Sequence, residues 1–231
     1  MSIPQSIQEP CPQGSSLIGP RRFDHKVIHC LGDSITQGVG DGDQGWVSLL
    51  KTMLPDTIIR NYGISGTTIS SFPEKGQEFV FRYRDMEPGA DVVIVFGGIN
   101  DYNHSLPLGD LHSEGPDTFY GALKILVPGL IEKYPLADLM FITPIKASGF
   151  KGYPHWNAGN EDGHTLKDYR DAIVNVCSYY AVPVLDLFHV SGLGPDIPCA
   201  KELLLPDGLH PSPLGYQRVV RKIYNFLVWN L

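Results

Sequence analysis

The 231-residue chain has no apolar run approaching the ~18 residues that a membrane span requires. Its first residues, MSIPQSIQEPCPQG, hold neither a basic n-region nor an apolar h-region, so no signal peptide and a cytoplasmic location are expected. A basic stripe is missing too. The chain carries 18 Lys and Arg against 25 Asp and Glu, its net charge is −7, and Arg21 and Arg22 form an isolated pair. Phosphate backbones require clustered cations, which argues against nucleic acid as a partner. Cysteine is scarce: Cys11, Cys30, Cys177 and Cys199 make no C-x-x-C pair, and buried free thiols are expected. The eight histidines are read as offering no ligand set with a supporting acid, so neither a metal nor a cofactor is expected. Internal repeats and interrupting linkers are absent, and one domain over residues 23–231 follows, preceded by an irregular Pro-, Ser- and Gln-rich arm over 1–22.

Short apolar runs alternate with helical patterns. The runs are KVIHCL (26–31), TIIRN (57–61), DVVIVF (91–96), DLMFIT (138–143) and VPVLDL (182–187). The third is apolar at every second and every intervening position, as a strand covered on both faces must be. Tyr169, Ile173, Val176, Cys177 and Tyr180 repeat at helical spacing, as do Tyr216, Val219, Val220, Ile223, Phe226 and Leu227 after a Ser212-Pro213 start signal. A further helix is expected over 117–134, kinked or split at Pro128 and Gly129. This alternation predicts an α/β fold: a doubly wound, mostly parallel sheet of about five strands.

In such sheets ligands bind beyond the carboxyl ends of the strands. The first run ends in Gly32-Asp33-Ser34, the second leads into YGISGTT (62–68), the third into GGINDYNH (97–104), and the last leads through a loop to DGLHP (207–211). A serine between strand and helix can be an N-cap, or a nucleophile if a base stands beside it. Asp207 and His210, three apart, share a face on a helical turn, which would let the carboxylate orient the imidazole. Gly66, in a Gly-rich turn, and the side chain of Asn100 could offer donors to a developing oxyanion. Each piece alone has a structural reading as a cap, a turn glycine or an Asx turn. In order along the chain they supply nucleophile, base, orienter and oxyanion donors, with none missing.

GDSIT (32–36), GISGTT (63–68), GGIND (97–101) and DGLHP (207–211) together resemble the four sequence blocks of the GDSL/SGNH hydrolase superfamily, over about residue 26 to the C-terminus. The resemblance implies a flavodoxin-like three-layer α/β/α fold and a serine esterase. It assigns Ser34 as nucleophile, His210 as base, Asp207 as its orienter, and the N–H groups of Ser34 and Gly66 with the Asn100 amide as the oxyanion hole. The G-x-S-x-G elbow is not present, since Thr36 stands where its second glycine would be. Asp33 and Asp101 read as residues that order their turns.

Gly40, Gly42 and Gly45 match G-x-G-x-x-G, but no strand immediately precedes them and Asp41 and Asp43 would face a pyrophosphate, so a flexible loop at the rim of the site is the expectation. The Gly-rich, aromatic stretch 144–165 suits a pocket wall. Tyr153 and Trp156 in it are candidate substrate contacts, with Phe150 and His155 beside them, as are Tyr102 and His104 just past Asn100, and Asp33. The expected substrate is a small-molecule ester, with short acyl groups such as O-acetyl on carbohydrate in front. A lysophospholipase or thioesterase, and a glycan-binding module without catalysis, are the competing readings. Activity should fall on acidification as His210 takes a proton.

Overall fold

A computed structural model describes residues 20–42, 44–73 and 76–231. Most of the 1–22 arm, with Cys11, lies outside the described residues, as does Asp43; Pro20–Phe23 form a 3-10 turn. The five apolar runs become strands β1 (Val27–Gly32), β2 (Ile58–Gly63), β3 (Val92–Phe96), β4 (Asp138–Ile142) and β5 (Val184–Leu185). All neighbours are parallel and the order is β2-β1-β3-β4-β5. The order reverses between β1 and β3, so their carboxyl ends flank the crevice where doubly wound sheets place ligands. β5 is much shorter than its apolar run. Pro183 has no N–H to give a ladder, and Asp186 is bonded to the side chains of Thr143, Arg170 and His189.

Between and after the strands lie α1 (Ser34–Gln37), α2 (Gly45–Met53), α3 (Phe79–Arg82), α4 (Ile99–Asn103), α5 (Phe119–Lys133), α6 (Leu166–Tyr179), α7 (Leu187–Val190), α8 (Pro198–Leu204) and α9 (Pro213–Asn230). Strand residues alternate between two cores because successive side chains leave opposite faces. Leu31, Val93, Val95 and Phe141 pack against α3, α4, α5 and α6. Ile28, Cys30, Val92, Ile94, Phe96 and Met140 pack against α1, α2 and α9. The result is a helix–sheet–helix sandwich. Among the described residues, no helix is long and apolar enough to cross a membrane.

Two expectations change. Of the kink or split expected at Pro128, the split does not occur: the helix is continuous over 119–133. Gly129 serves a different need: a Cβ there would lie 2.1 Å from the Tyr83 hydroxyl, so glycine lets that ring pack against the helix. Cys30 and Cys177 are free and buried, but Cys199 is exposed, on a short helix that buries only Leu204. The start of α9 is as the sequence indicates: the Ser212 hydroxyl accepts from Gly215 N at 3.2 Å and Pro213 takes the first helical position.

Candidate active site

At the end of β1 the chain turns sharply into α1. A Cβ on Gly32 would sit 2.0 Å from Thr36 Oγ1 and 2.9 Å from the Phe96 carbonyl oxygen. Glycine on the strand thus makes room for Thr36 on the helix, which is why a second glycine is not needed at 36. The cap of α1 is Asp33, whose carboxylate accepts from Ile35 N at 3.0 Å. Ser34 therefore does not cap the helix. It is the first helical residue, and its Oγ lies 3.0 Å from His210 Nε2.

His210 Nδ1 lies 2.7 Å from Asp207 Oδ2, while Asp207 Oδ1 accepts from Leu209 N at 2.9 Å and His210 N at 2.7 Å. Residues 207–210 are a tight turn, not the helical turn expected from their spacing. A side chain bonded to backbone two and three residues on makes an Asx turn, which points carboxylate and imidazole at one another without a helix. Gly208 completes it at φ 89, where a Cβ would lie 2.4 Å from the Gly149 carbonyl oxygen. Ser148 N donates to the Gly208 carbonyl at 2.8 Å, so the 144–165 segment is seated on this turn. Burial pushes the Asp207 carboxyl up, but bonds from the His210 ring and two backbone N–H groups outweigh it and hold the group below its ordinary value. An ionised carboxylate only accepts, so Nδ1 carries the ring proton and Nε2 faces the serine hydroxyl as acceptor.

The first glycine of GDGDQG is explained here as well. A Cβ on Gly40 would lie 2.5 Å from the Pro211 carbonyl oxygen, and the Tyr216 hydroxyl donates to the Val39 carbonyl at 2.7 Å. The start of the loop thus lies against the His210-Pro211 turn at the rim of the site.

The loop after β2 is stitched to the other strand ends. Ile64 N donates to the Gly32 carbonyl at 3.0 Å, and Gly66 sits at φ 74, the left-handed region open to glycine. The Asn100 amide, at the start of α4, donates to the Thr67 carbonyl at 2.9 Å. A primary amide has two N–H donors, so this bond anchors Asn100 beside Gly66 without using up its donors. Asp101 accepts from Ile69 N (2.9 Å), Ser70 N (2.8 Å) and Ser70 Oγ (2.6 Å), pinning the same loop. Burial raises the Asp101 carboxyl to about 6. It raises Asp33 to about 7, with the Ile35 N–H bond and the Arg82 charge opposing and the Asp101 charge adding.

Arg82 was not visible from sequence. Its buried guanidinium donates to the carbonyls of Gly32 (2.7 Å), Tyr62 (2.6 Å) and Gln77 (2.7 Å) and to Thr67 Oγ1 (3.2 Å). One planar fork thus registers the ends of β1 and β2 and the loop carrying Gly66. Burial lowers the group to about 10. No motif marks it; an arginine in the otherwise apolar FVFRY stretch is the one available signal.

Three of the candidate substrate contacts are placed elsewhere. Asp33 is buried and occupied as a cap. Tyr102 is fully buried, and its hydroxyl donates to the carbonyls of His155 (2.6 Å) and Ala158 (2.9 Å). Trp156 packs on Phe188 and gives its indole N–H to Asp196 at 3.0 Å, which also holds His155 Nε2 at 2.6 Å. These rings clamp the 144–165 segment to the domain. The other two contacts do come together. His104 and Tyr153 meet edge to face at 5.4 Å, Tyr153 stacks on Phe150 at 6.5 Å, and Phe150 abuts His210 at 5.2 Å.

Several solved structures share this architecture. A protein from Lactobacillus plantarum is 32% identical, with 90% of this chain and 99% of that chain aligned at a TM-score of 0.83. A possible lipase from Chitinophaga pinensis is 23% identical (87% and 97% covered, TM-score 0.70), and so is a lipase/acylhydrolase from Enterococcus faecalis (88% and 95%, TM-score 0.61). No curated protein matches the chain. The model of the GDSL-like lipase/acylhydrolase family matches residues 30–218, which takes in all four blocks and every strand from β1 onward save its first residues. The chain belongs to the GDSL-like lipase/acylhydrolase family.

Proposed function

We propose that the chain is a carboxylic-ester hydrolase that acts through an acyl-enzyme on Ser34 and prefers short acyl groups, O-acetyl on carbohydrate among them. The observation that carries the reading is the Ser34 Oγ–His210 Nε2–Nδ1–Asp207 relay, with separations of 3.0 and 2.7 Å. In this mechanism Nε2 takes the Ser34 proton as Oγ bonds to the acyl carbon, and the carbonyl π pair moves onto oxygen. The N–H groups of Ser34 and Gly66 and the Asn100 amide receive that oxyanion. The Ser34 N–H opens a helix, where no carbonyl four residues back can take it. The oxyanion collapses, the C–O bond to the alcohol breaks, and the imidazolium returns its proton to the departing oxygen. Water, deprotonated by the same ring, then attacks the acyl-serine; the acid leaves and Ser34 recovers its proton.

The preference for short chains is supported by what surrounds the relay. The nearby wall of His104, Tyr153, Lys151 and Glu161 is aromatic and polar, and burying an alkyl chain there would strip water from charged groups without replacing their bonds. The test is a panel of aryl esters of increasing acyl length beside acetylated sugars, with Ser34→Ala as control. Turnover that falls with chain length and vanishes in Ser34→Ala is expected. Rates that rise with chain length would shift the reading to a thioesterase or lysophospholipase. Equal, negligible rates for both proteins on every ester would remove the hydrolase reading.

A further inference from the structure

We infer that Phe150 is a positioning residue for the reaction: its ring holds the His210 imidazole in line with Ser34. This inference rests on the esterase reading and adds a part to the same relay. The ring centroids of Phe150 and His210 are 5.2 Å apart with their planes at 88°, an edge-to-face pair. The His210 side chain is 9% exposed, and Phe150 is part of what covers it.

Asp207 alone does not fix the imidazole. One bond, from Nδ1 to Asp207 Oδ2 at 2.7 Å, leaves the ring able to tilt about that contact. A tilt carries Nε2 away from Ser34 Oγ, and proton transfer needs the 3.0 Å separation to be kept. Gly40 approaches from behind, where a Cβ would lie 3.3 Å from His210 Cβ. That contact restrains the stem of the side chain and not the plane of its ring. A neighbour against the flank of the ring stops the tilt, and Phe150 supplies it.

Three observations show that the chain is built to put this ring there. The backbone around it is left-handed at Gly149 (φ 88), Lys151 (φ 47) and Gly152 (φ 92), and Tyr153 N closes the knuckle by donating to the Phe150 carbonyl at 2.9 Å. Two of these residues are glycines, but Lys151 has a Cβ and is strained. Such strain persists where the surroundings enforce it, and it collects at functional sites. Second, the same few residues grip the turn that carries Asp207 and His210. Ser148 N donates to the Gly208 carbonyl at 2.8 Å, and the Gly149 carbonyl oxygen comes so near Gly208 that a Cβ there would lie 2.4 Å away. Residues 148 and 149 thus hold the backbone of the turn while Phe150 holds its imidazole. Third, Phe150 is itself backed: Tyr153 stacks on it at 6.5 Å and the Lys151 ammonium lies 5.0 Å from its centroid. The segment is tied down beyond it, where Trp156 N donates to the Ala147 carbonyl at 2.9 Å and its indole N–H to Asp196.

The test measures kcat and KM for ethyl acetate and p-nitrophenyl acetate in wild type, Phe150→Ala and Phe150→Leu, with Ser34→Ala as control. A residue that acts through the base lowers kcat whatever the alcohol, and leaves KM alone. The loss in kcat should be about tenfold in Phe150→Ala and about threefold in Phe150→Leu, which refills part of the space. KM should stay within about twofold of wild type for both esters. A second readout needs no substrate: the proton between His210 Nδ1 and Asp207, a far-downfield NMR line in wild type, should broaden in Phe150→Ala. Circular dichroism checks folding, and Phe150→Leu decides if Phe150→Ala does not fold. The inference is overturned if kcat is that of wild type in either folded variant, or if the loss falls on KM or on one ester alone. Ser34-dependent turnover in wild type would then still uphold the esterase reading. Wild-type rates no faster than those of Ser34→Ala would sink that reading, and the downfield line would still show whether Phe150 holds His210.

Discussion

Replacing Arg82 by Met removes a charge while keeping most of the stem that packs over Phe79, where the guanidinium carbon lies 4.8 Å from the ring centroid. The guanidinium binds three carbonyls and one hydroxyl, and its charge faces the buried Asp33. Removing one member of a buried charged network costs about 3–5 kcal/mol. The Gly32 carbonyl keeps its bond from Ile64 N, and the variant no longer desolvates a cation, so the lower end applies, about 3 kcal/mol. For a chain of this size that lowers Tm by roughly 6–12 °C. The same change frees the ends of β1 and β2 and the Thr67 loop to shift, and a misplacement near 1 Å costs about 100-fold in rate. Scanning calorimetry and kcat/KM on a small acetate ester should therefore fall together. Arg82→Lys should recover little of either, because a point charge cannot reach acceptors on three separate segments at once. An Arg82→Met protein with wild-type Tm and wild-type kcat/KM would show that the guanidinium does not register the site.

Asp207→Asn should fold normally but lose on the order of 10⁴ in kcat, because the amide no longer fixes the His210 tautomer; kcat within tenfold of wild type would remove Asp207 as orienter. Gly208→Ala introduces a Cβ 2.4 Å from the Gly149 carbonyl at a left-handed φ; activity should drop by about 100-fold, and a fully active variant would contradict the described turn. His29 is buried between Tyr62 and Tyr134, and burial lowers it from 6.5 to about 4. The folded state thus refuses a proton that the unfolded chain accepts, so stability is full above about pH 6.5 and is lost as pH falls towards 4, on the order of 3 kcal/mol. Urea titrations of wild type and His29→Phe at neutral and acid pH should show a flatter pH dependence in the variant, and identical slopes would exonerate His29.

The sheet could be read from sequence because its central strand β3 must be apolar on both faces, a pattern that few other structures require. Ser34, His210, Asp207 and Asn100 were legible for another reason: each lies at a strand end or in the last loop, within a short block of glycines and polar residues. The turn at 207–210 was not, because i,i+3 spacing fits both a helix and an Asx turn, and only the Asp207 bonds to backbone decide between them. Tyr102, just past Asn100, and Trp156, in a Gly-rich loop, could not be placed because an aromatic residue looks alike whether it lines a pocket or ties a loop down. Their polar atoms reveal which: both are bonded to the protein's own carbonyls or carboxylate. Arg82 was invisible because its partners are backbone carbonyls from three separate segments, which leave no mark on side-chain pattern.

The central claim is that Ser34 is a nucleophile with His210 as its base. Treatment with a fluorophosphonate, followed by intact-mass and peptide analysis, tests it most directly. One adduct on Ser34 is predicted in wild type, greatly slowed labelling in a His210→Ala protein, and none in Ser34→Ala. An unlabelled Ser34 in a folded wild-type protein that still hydrolyses esters would contradict the account.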